Sequence, residues 1–284
     1  MTVGCYLDES FDTGQRGIFA VGGIMGRGRP TFELDRKWTA LRQRPDIDIA
    51  YFKASECQRA TGEFEKFVSN PDSITDAERA KLDGIWREFL ELLRGDSLER
   101  FLGYGIGVVQ DYFYEVIKDP YAKSILGKSP YWFAYCASMI EAADVMKRTK
   151  RDYVAFVCDE DQEHSPIAKD VYDELKKKNP NAAKYMGSFT SLSDLRSGSL
   201  QAADALVYEV RRSLGTVLGR WKQSLKWNSG VRWQMKQLID YKMIWMVAYA
   251  DKKHLEAIVN ENKPGEPLDL DHWLEQEINE DVSL

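Results

Sequence analysis

The chain has 284 residues, 44% of them hydrophobic and 30% charged, with a net charge of −6 and a mean hydropathy of −0.46. That length suits one large α/β domain or a domain carrying an extension, and the longest uninterrupted apolar stretch, Met243 to Ala250, falls far short of the roughly 20 residues a bilayer requires. No basic segment followed by an apolar core opens the sequence, and the four cysteines, Cys5, Cys57, Cys136 and Cys158, lack zinc-ligand spacing. A cytoplasmic protein with reduced, buried thiols and no membrane span is expected.

In chain order, Val3 to Leu7 reads as a strand that ends on Asp8-Glu9, and Gly17 to Ile24 as its hairpin partner, closed by Gly26-Arg27-Gly28-Arg29-Pro30. Residues 31 to 44 have a charged helical pattern, and 59 to 73 show little pattern. Thr75 and Glu78 form a capping box ahead of Leu82, Ile85, Trp86, Phe89, Leu92 and Leu93, which recur at helical spacing and define a helix ending near Gly95. Leu98 to Val109 reads as a third strand, with Gly103, Gly105 and Gly107 on alternate positions. One of its faces is therefore bare and open to close approach. A long apolar helix over 131–147 leads to a buried strand, Tyr153 to Cys158, stopping on Asp159-Glu160-Asp161. Ser165 reads as the N-cap and Pro166 as the first position of the next helix, Lys184 to Thr190 is a weaker fifth strand, Ser199 opens a helix through Arg212, and helices are expected to fill 214–258.

Two strands thus finish in carboxylates, and the C-terminal ends of strands are where open α/β sheets place ligands. A third acid, Asp204, lies in the segment Leu200 to Val210, beside the apolar stripe Leu200, Ala203, Val207, Val210 and Leu214. If these elements meet, the acids of Asp8-Glu9, of Asp159-Glu160-Asp161 and Asp204 bring hard oxygen ligands together without histidine or thiolate, the donor set expected for Mg²⁺ or Mn²⁺.

The Asp8-Glu9-Ser10 triplet, the apolar run with Gly22-Gly23, the segment Tyr51 to Glu56, the strand ending at Asp159-Glu160 and the run Leu200-Gln201-Ala202-Ala203-Asp204 together resemble the domain-of-unknown-function family numbered 3800, a prokaryotic group. The resemblance spans about residues 2 to 213. It departs at Lys53, where the family usually has His, and at Phe11, where a glycine usually follows the triplet. What it implies is a ribonuclease H-like, mixed five-stranded α/β sheet flanked by helices, with its first three strands antiparallel. The domain would cover 1–213 with a helical insertion around 54–95, followed by a helical extension over 214–284 with an acidic tail. The resemblance also implies a metal-dependent nuclease. Asp8 would be the central metal ligand, Asp159 or Glu160 the second and Asp204 the third, with Gln201 as a positioning residue. In such sites two divalent ions activate a water and stabilise the leaving oxygen of a phosphodiester.

Three further residues are accessory candidates. Glu9 points away from Asp8 if the strand continues, because side chains alternate, and is free to pair with a base. Glu56 either enters the site or is a helix-start acid. His164 is either a proton shuttle or an exposed loop residue. Between Val210 and Ile239 the chain has no acid, and Arg220-Trp221-Lys222, Lys226-Trp227 and Arg232-Trp233 interleave bases with aromatics, as nucleic-acid binding requires. The same pattern suits an amphipathic helical pair with its tryptophans packed inward. The functional expectation is a nuclease acting on RNA or DNA. The alternatives are a non-catalytic module binding nucleic acid or a protein partner, and a hydrolase of small phosphate esters.

Overall fold

The computed structural model describes residues 2–11, 17–94, 101–150, 153–160, 164–217, 233–240 and 244–270. A six-stranded sheet runs through it, formed by β1 (Thr2–Phe11), β2 (Ile18–Arg27), β3 (Phe101–Val109), β4 (Tyr153–Asp159), β5 (Met186–Leu192) and β6 (Ile244–Ala250) in the order β5-β4-β1-β2-β3-β6. The first three strands are antiparallel, whereas β4 runs parallel to β1, β5 to β4 and β6 to β3. The fold is a mixed α/β sheet flanked by helices.

The helices are α1 (Gly28–Arg42), α2 (Ala54–Arg59), α3 (Asp76–Glu91), α4 (Gln110–Val116), α5 (Pro120–Leu126), α6 (Pro130–Arg148), α7 (Ser165–Lys178), α8 (Pro180–Ala183), α9 (Gly198–Val217), α10 (Trp233–Asp240) and α11 (Lys252–Glu261). Alternation along the strands divides their side chains between two cores. Val3, Cys5 and Leu7 of β1 join Val154, Phe156 and Cys158 of β4 under α6 and α7. On the other face, Tyr6, Ile18, Ile24 and Phe101 pack with α1, α3 and α9. All four cysteines are buried free thiols, and no helix among the described residues is long and apolar enough to cross a membrane.

Several expectations are corrected. The sheet has six strands rather than five, because the apolar run assigned to a helix is β6, paired with β3. Met246, Ala248 and Ala250 enter one core while Val247 and Tyr249 lean on the other. A strand with apolar residues on both faces has no alternation in its sequence to distinguish it from a buried helix. Residues 244–250 therefore belong to the sheet and not to a helical extension. β2 continues to Arg27 and α1 starts at Gly28, so the glycine-rich segment there is strand end and helix start rather than a closing turn. The N-cap of α7 is His164, one residue before the expected serine. The capping box of α3 is present, with the Glu78 amide donating to Thr75 Oγ1 at 3.3 Å and the Thr75 amide to Glu78 Oε2 at 2.9 Å.

The bare face of β3 is where α9 lies. A Cβ placed on Gly105 would fall 2.8 Å from the Val210 methyls, and one on Gly107 would fall 2.4 Å from Leu214 Cδ1. This close approach sets α9 across β1, β2 and β3, with Asp204 toward the C-terminal end of β1.

Candidate active site

β1 does not stop at its acids. It runs through them to Phe11, so Asp8 and Glu9 leave opposite faces of the sheet. Leu7 pairs with Cys158 in the parallel β1–β4 ladder and both enter the α6 core. Asp8 and Asp159, the next residues along, therefore stand side by side on the α9 face, on strands about 4.8 Å apart. Asp8 is only 9% exposed. Its Oδ1 accepts the Glu9 amide at 2.7 Å, and its Oδ2 accepts no hydrogen bond among the described residues.

Asp204 comes to the same place from α9, where its Oδ2 accepts the Ala54 amide at 2.8 Å. Asp159 Oδ1 accepts the amides of Glu160 at 2.8 Å and Asp194 at 3.0 Å. Asp194, in the 3₁₀ turn between β5 and α9, brings a fourth carboxylate into the field of Asp159 and Asp204. Sequence reading missed it, since it follows a weak strand and belongs to no periodic pattern. A carboxylate shortly past a strand that neighbours an acid-ended strand was the available signal.

Gln201 fastens the surroundings. Its Oε1 accepts Trp38 Nε1 at 2.8 Å and the Phe52 amide at 2.9 Å, and its Nε2 donates to the Asp194 carbonyl at 2.8 Å. It is fully buried, so it acts as a tie between α1, residues 50–54 and the 3₁₀ turn. The N-terminus of α9 is fixed by Asp35, which accepts the Ser199 amide at 2.7 Å.

Crowded acids show in their protonation. Burial, then Glu9 and Asp204, push the Asp8 carboxyl well above the usual range. Burial pushes Asp204 up to about 6, against the opposing effects of the Ala54 amide and Lys53 and together with Asp194. Burial and Asp194 also raise Asp159. Lys53 is exposed. Surrounding atoms work against its charge, yet Asp204, Asp8, Asp194 and Glu56 outweigh them and hold its pKa above the ordinary value.

These residues fit a hard divalent cation in donor chemistry. They are oxygen-only, short of positive charge, and Asp8, Asp159 and Asp204 each keep one carboxylate oxygen free of hydrogen bonds among the described residues. The carboxylates share a face without closing on a single point. Among the described residues no three Asp, Glu, His or Cys side chains form a group ready to hold an ion. Each carboxylate is anchored by a backbone amide, and mutual repulsion opposes closer approach.

The other predicted residues lie elsewhere. Glu160 is exposed beyond the strand end. Glu56 accepts the Tyr51 hydroxyl at 2.9 Å and is packed against Gly62, whose φ of +55° suits glycine. It is the acid in the first turn of α2, as the helix-start alternative has it, and ties that turn to Tyr51. His164 is not an exposed loop residue: it is 3% exposed, on the opposite face from Asp8. There its Nδ1 lies 3.1 Å from Glu9 Oε1, Tyr135 donates to Glu9 Oε2 at 2.5 Å, and Tyr131 stacks on the imidazole at 4.4 Å. Arg220, Trp221, Lys222, Lys226 and Arg232 lie outside the described residues. Arg211, in the acid-free segment, is buried, donating to Ser10 Oγ at 2.8 Å and packing over Tyr208, so it adds nothing to a basic surface.

Fold and site together define an α/β protein with a group of carboxylates toward the C-terminal ends of two adjacent parallel strands, on the face of the sheet that α9 crosses. No family model and no curated protein matches the chain. Among solved structures, a chain of the PCNA:RNase HII complex from Archaeoglobus fulgidus aligns over 84% of this chain and 87% of its own length, with a TM-score of 0.37 and 11% identity.

Proposed function

We propose that this protein is a ribonuclease H-like, divalent-metal-dependent nuclease, and a member of family 3800, that hydrolyses phosphodiesters of RNA or DNA at Asp8, Asp159 and Asp204. The observation that carries the reading is the gathering of these carboxylates on one face with raised pKa values and unbonded oxygens. The strand order adds support, since three antiparallel strands continued by two parallel ones on the β1 side make the ribonuclease H-like arrangement.

In this reading Asp8, Asp159 and Asp204 hold Mg²⁺ or Mn²⁺, which supplies the charge that activates water and stabilises the leaving oxygen. The chain's own contribution is positional. The Ala54 and Asp194 amides orient Asp204 and Asp159, and Gln201 holds the elements that carry those amides. Asp194 adds negative potential that favours a cation over a protonated acid.

Incubation with single- and double-stranded RNA and DNA and an RNA–DNA hybrid, in Mn²⁺ and in chelator, tests the proposal. Metal-dependent cleavage by the wild type is expected, lost by at least about a hundredfold in Asp8→Asn and Asp204→Asn variants whose circular dichroism is unchanged. Full cleavage by both folded variants overturns it.

A further inference from the structure

At the end away from Asp8 and Asp159 the sheet is edged with the opposite charge. The parallel strands β4 and β5 begin there, and α6, α7 and α8 end there. The stretches 147–150 and 176–184, which close those helices, hold seven bases and no acid in a chain whose net charge is −6. Contacts gather the two stretches at one place. Lys176 Nζ donates to the Met186 carbonyl at 2.9 Å and to the Ala183 carbonyl at 3.1 Å, tying the end of α7 to the start of β5. The Val154 amide donates to the Tyr185 carbonyl at 2.8 Å, and Lys147 lines a cleft with Asn181 and Tyr185.

Part of this charge is answered within the fold. Arg148 pairs with Glu141 at 2.7 Å and with Asp144 at 2.8 Å, and Lys178 pairs with Glu174 at 2.6 Å. Lysines in a last helical turn also complement the helix dipole. Neither explanation reaches Lys150, past the end of α6, or Lys184, past the short α8. With Lys177 they are exposed and form no ion pair among the described residues. Lys184 lies over the Tyr185 ring at 5.4 Å, and Tyr153, at the start of β4, is 51% exposed. Lysines without carboxylates beside an exposed aromatic face suit a run of phosphates whose bases stack. An acidic peptide or a lipid headgroup gives the tyrosine no role. Glu261 and Glu266 stand on the far wall of the cleft at Lys147 and bound the basic surface on that side.

We infer that this end of the sheet is a docking surface for a single-stranded nucleic acid, with Lys150, Lys177 and Lys184 contacting phosphates and Tyr153 stacking on a base. The inference goes beyond the proposed function, because β4 puts about 20 Å between Tyr153 and Asp159 and hydrolysis needs none of these residues.

The test is fluorescence anisotropy of a labelled thymine oligonucleotide with the full-length protein in chelator, over a series of salt concentrations, so that binding is read without cleavage. Lys150→Gln/Lys177→Gln/Lys184→Gln is expected to bind about tenfold or more weakly than the wild type, with the slope of log affinity against log salt reduced by about 2. Tyr153→Ser is expected to lose about fivefold with its slope unchanged, as lost stacking rather than lost charge requires. Lys118→Gln/Lys123→Gln/Lys128→Gln makes the same change in net charge on another surface and is expected to stay within about threefold of the wild type. Circular dichroism checks the fold of each variant. Unchanged binding by the first triple variant, or equal losses in both triple variants, overturns the surface. Absence of binding by the wild type also overturns it and leaves metal-dependent cleavage to its own test. Binding of polyglutamate or of phosphatidylserine vesicles in place of the oligonucleotide overturns the assignment to nucleic acid.

Discussion

Replacing Asp8 or Asp204 by Asn removes a charge that the fold holds at a cost. Both carboxyls have raised pKa values in the folded protein, so their protonated forms favour folding. For Asp204 that contribution is fully present below its ordinary value of 3.8 and is lost as pH rises through about 6. The metal-free wild type is therefore expected to lose stability between about pH 4 and pH 6 relative to Asp204→Asn, which at pH 7 is the more stable by on the order of 2 kcal/mol. Denaturant melts in chelator across that pH range check the sign, and a steeper decline in the variant contradicts it. His164 belongs to the other face of β1. His164→Ala is expected to cost about 2 kcal/mol by removing the imidazole beside Glu9 Oε1 and opening the Tyr131 stack, with Mn²⁺ affinity within about threefold of the wild type. At this scale the sequence was legible where a simple period applied. Alternation along β1 separates Asp8 from Glu9, and the bias against Asp in a helix interior marks Asp204. It was silent about Asp194 and Lys53, whose placement depends on amides and strands distant in the chain.

Among the elements, α9 determines whether Asp204 comes to the face that carries Asp8 and Asp159. Its approach to the sheet is permitted by Gly105, and Gly105→Ala puts a methyl against Val210, a β-branched side chain with little freedom to yield. A loss of about 1–3 kcal/mol is expected, together with weaker Mn²⁺ binding as Asp204 is lifted away from β1. Thermal melting and calorimetry on one preparation measure both, and unchanged values for both refute this account of the docking. Gln201→Leu acts on the same helix from its other side. It leaves Trp38 Nε1, the Phe52 amide and the Asp194 carbonyl without their partner, at roughly 3 kcal/mol. The alternate glycines of β3 announce a close neighbour in the sequence itself, and the capping box announces α3. The short helices α4 and α5 carry no legible signal because each is only 7 residues long, too short to show a periodic stripe.

At the scale of the whole molecule, a sheet divided between two cores separates the Asp8, Asp159 and Asp204 carboxylates from the Glu9–His164–Tyr135 cluster while joining them through consecutive residues of β1. Saturating Mn²⁺ is expected to raise the melting temperature of the wild type, because a ligand that binds the folded state alone shifts the equilibrium, and to have no such effect on Asp8→Asn. Differential scanning in chelator and in Mn²⁺ compares the two. The β1–β2 hairpin and the acid that ends β4 were legible because they are local. The sixth strand was not, because its partner, β3, lies far back in the chain and its own pattern is apolar on both sides.

That distant pairing gives the protein a vulnerable interval on the ribosome. A nascent chain that has released β1, β2 and β3 presents the outer edge of β3 unpaired until β6 emerges, and unpaired edges recruit other strands. Slow translation between those two segments, or a stop codon ahead of residue 244, would leave a polypeptide that retains Asp8, Asp159 and Asp204 and yet is prone to strand exchange and inclusion bodies.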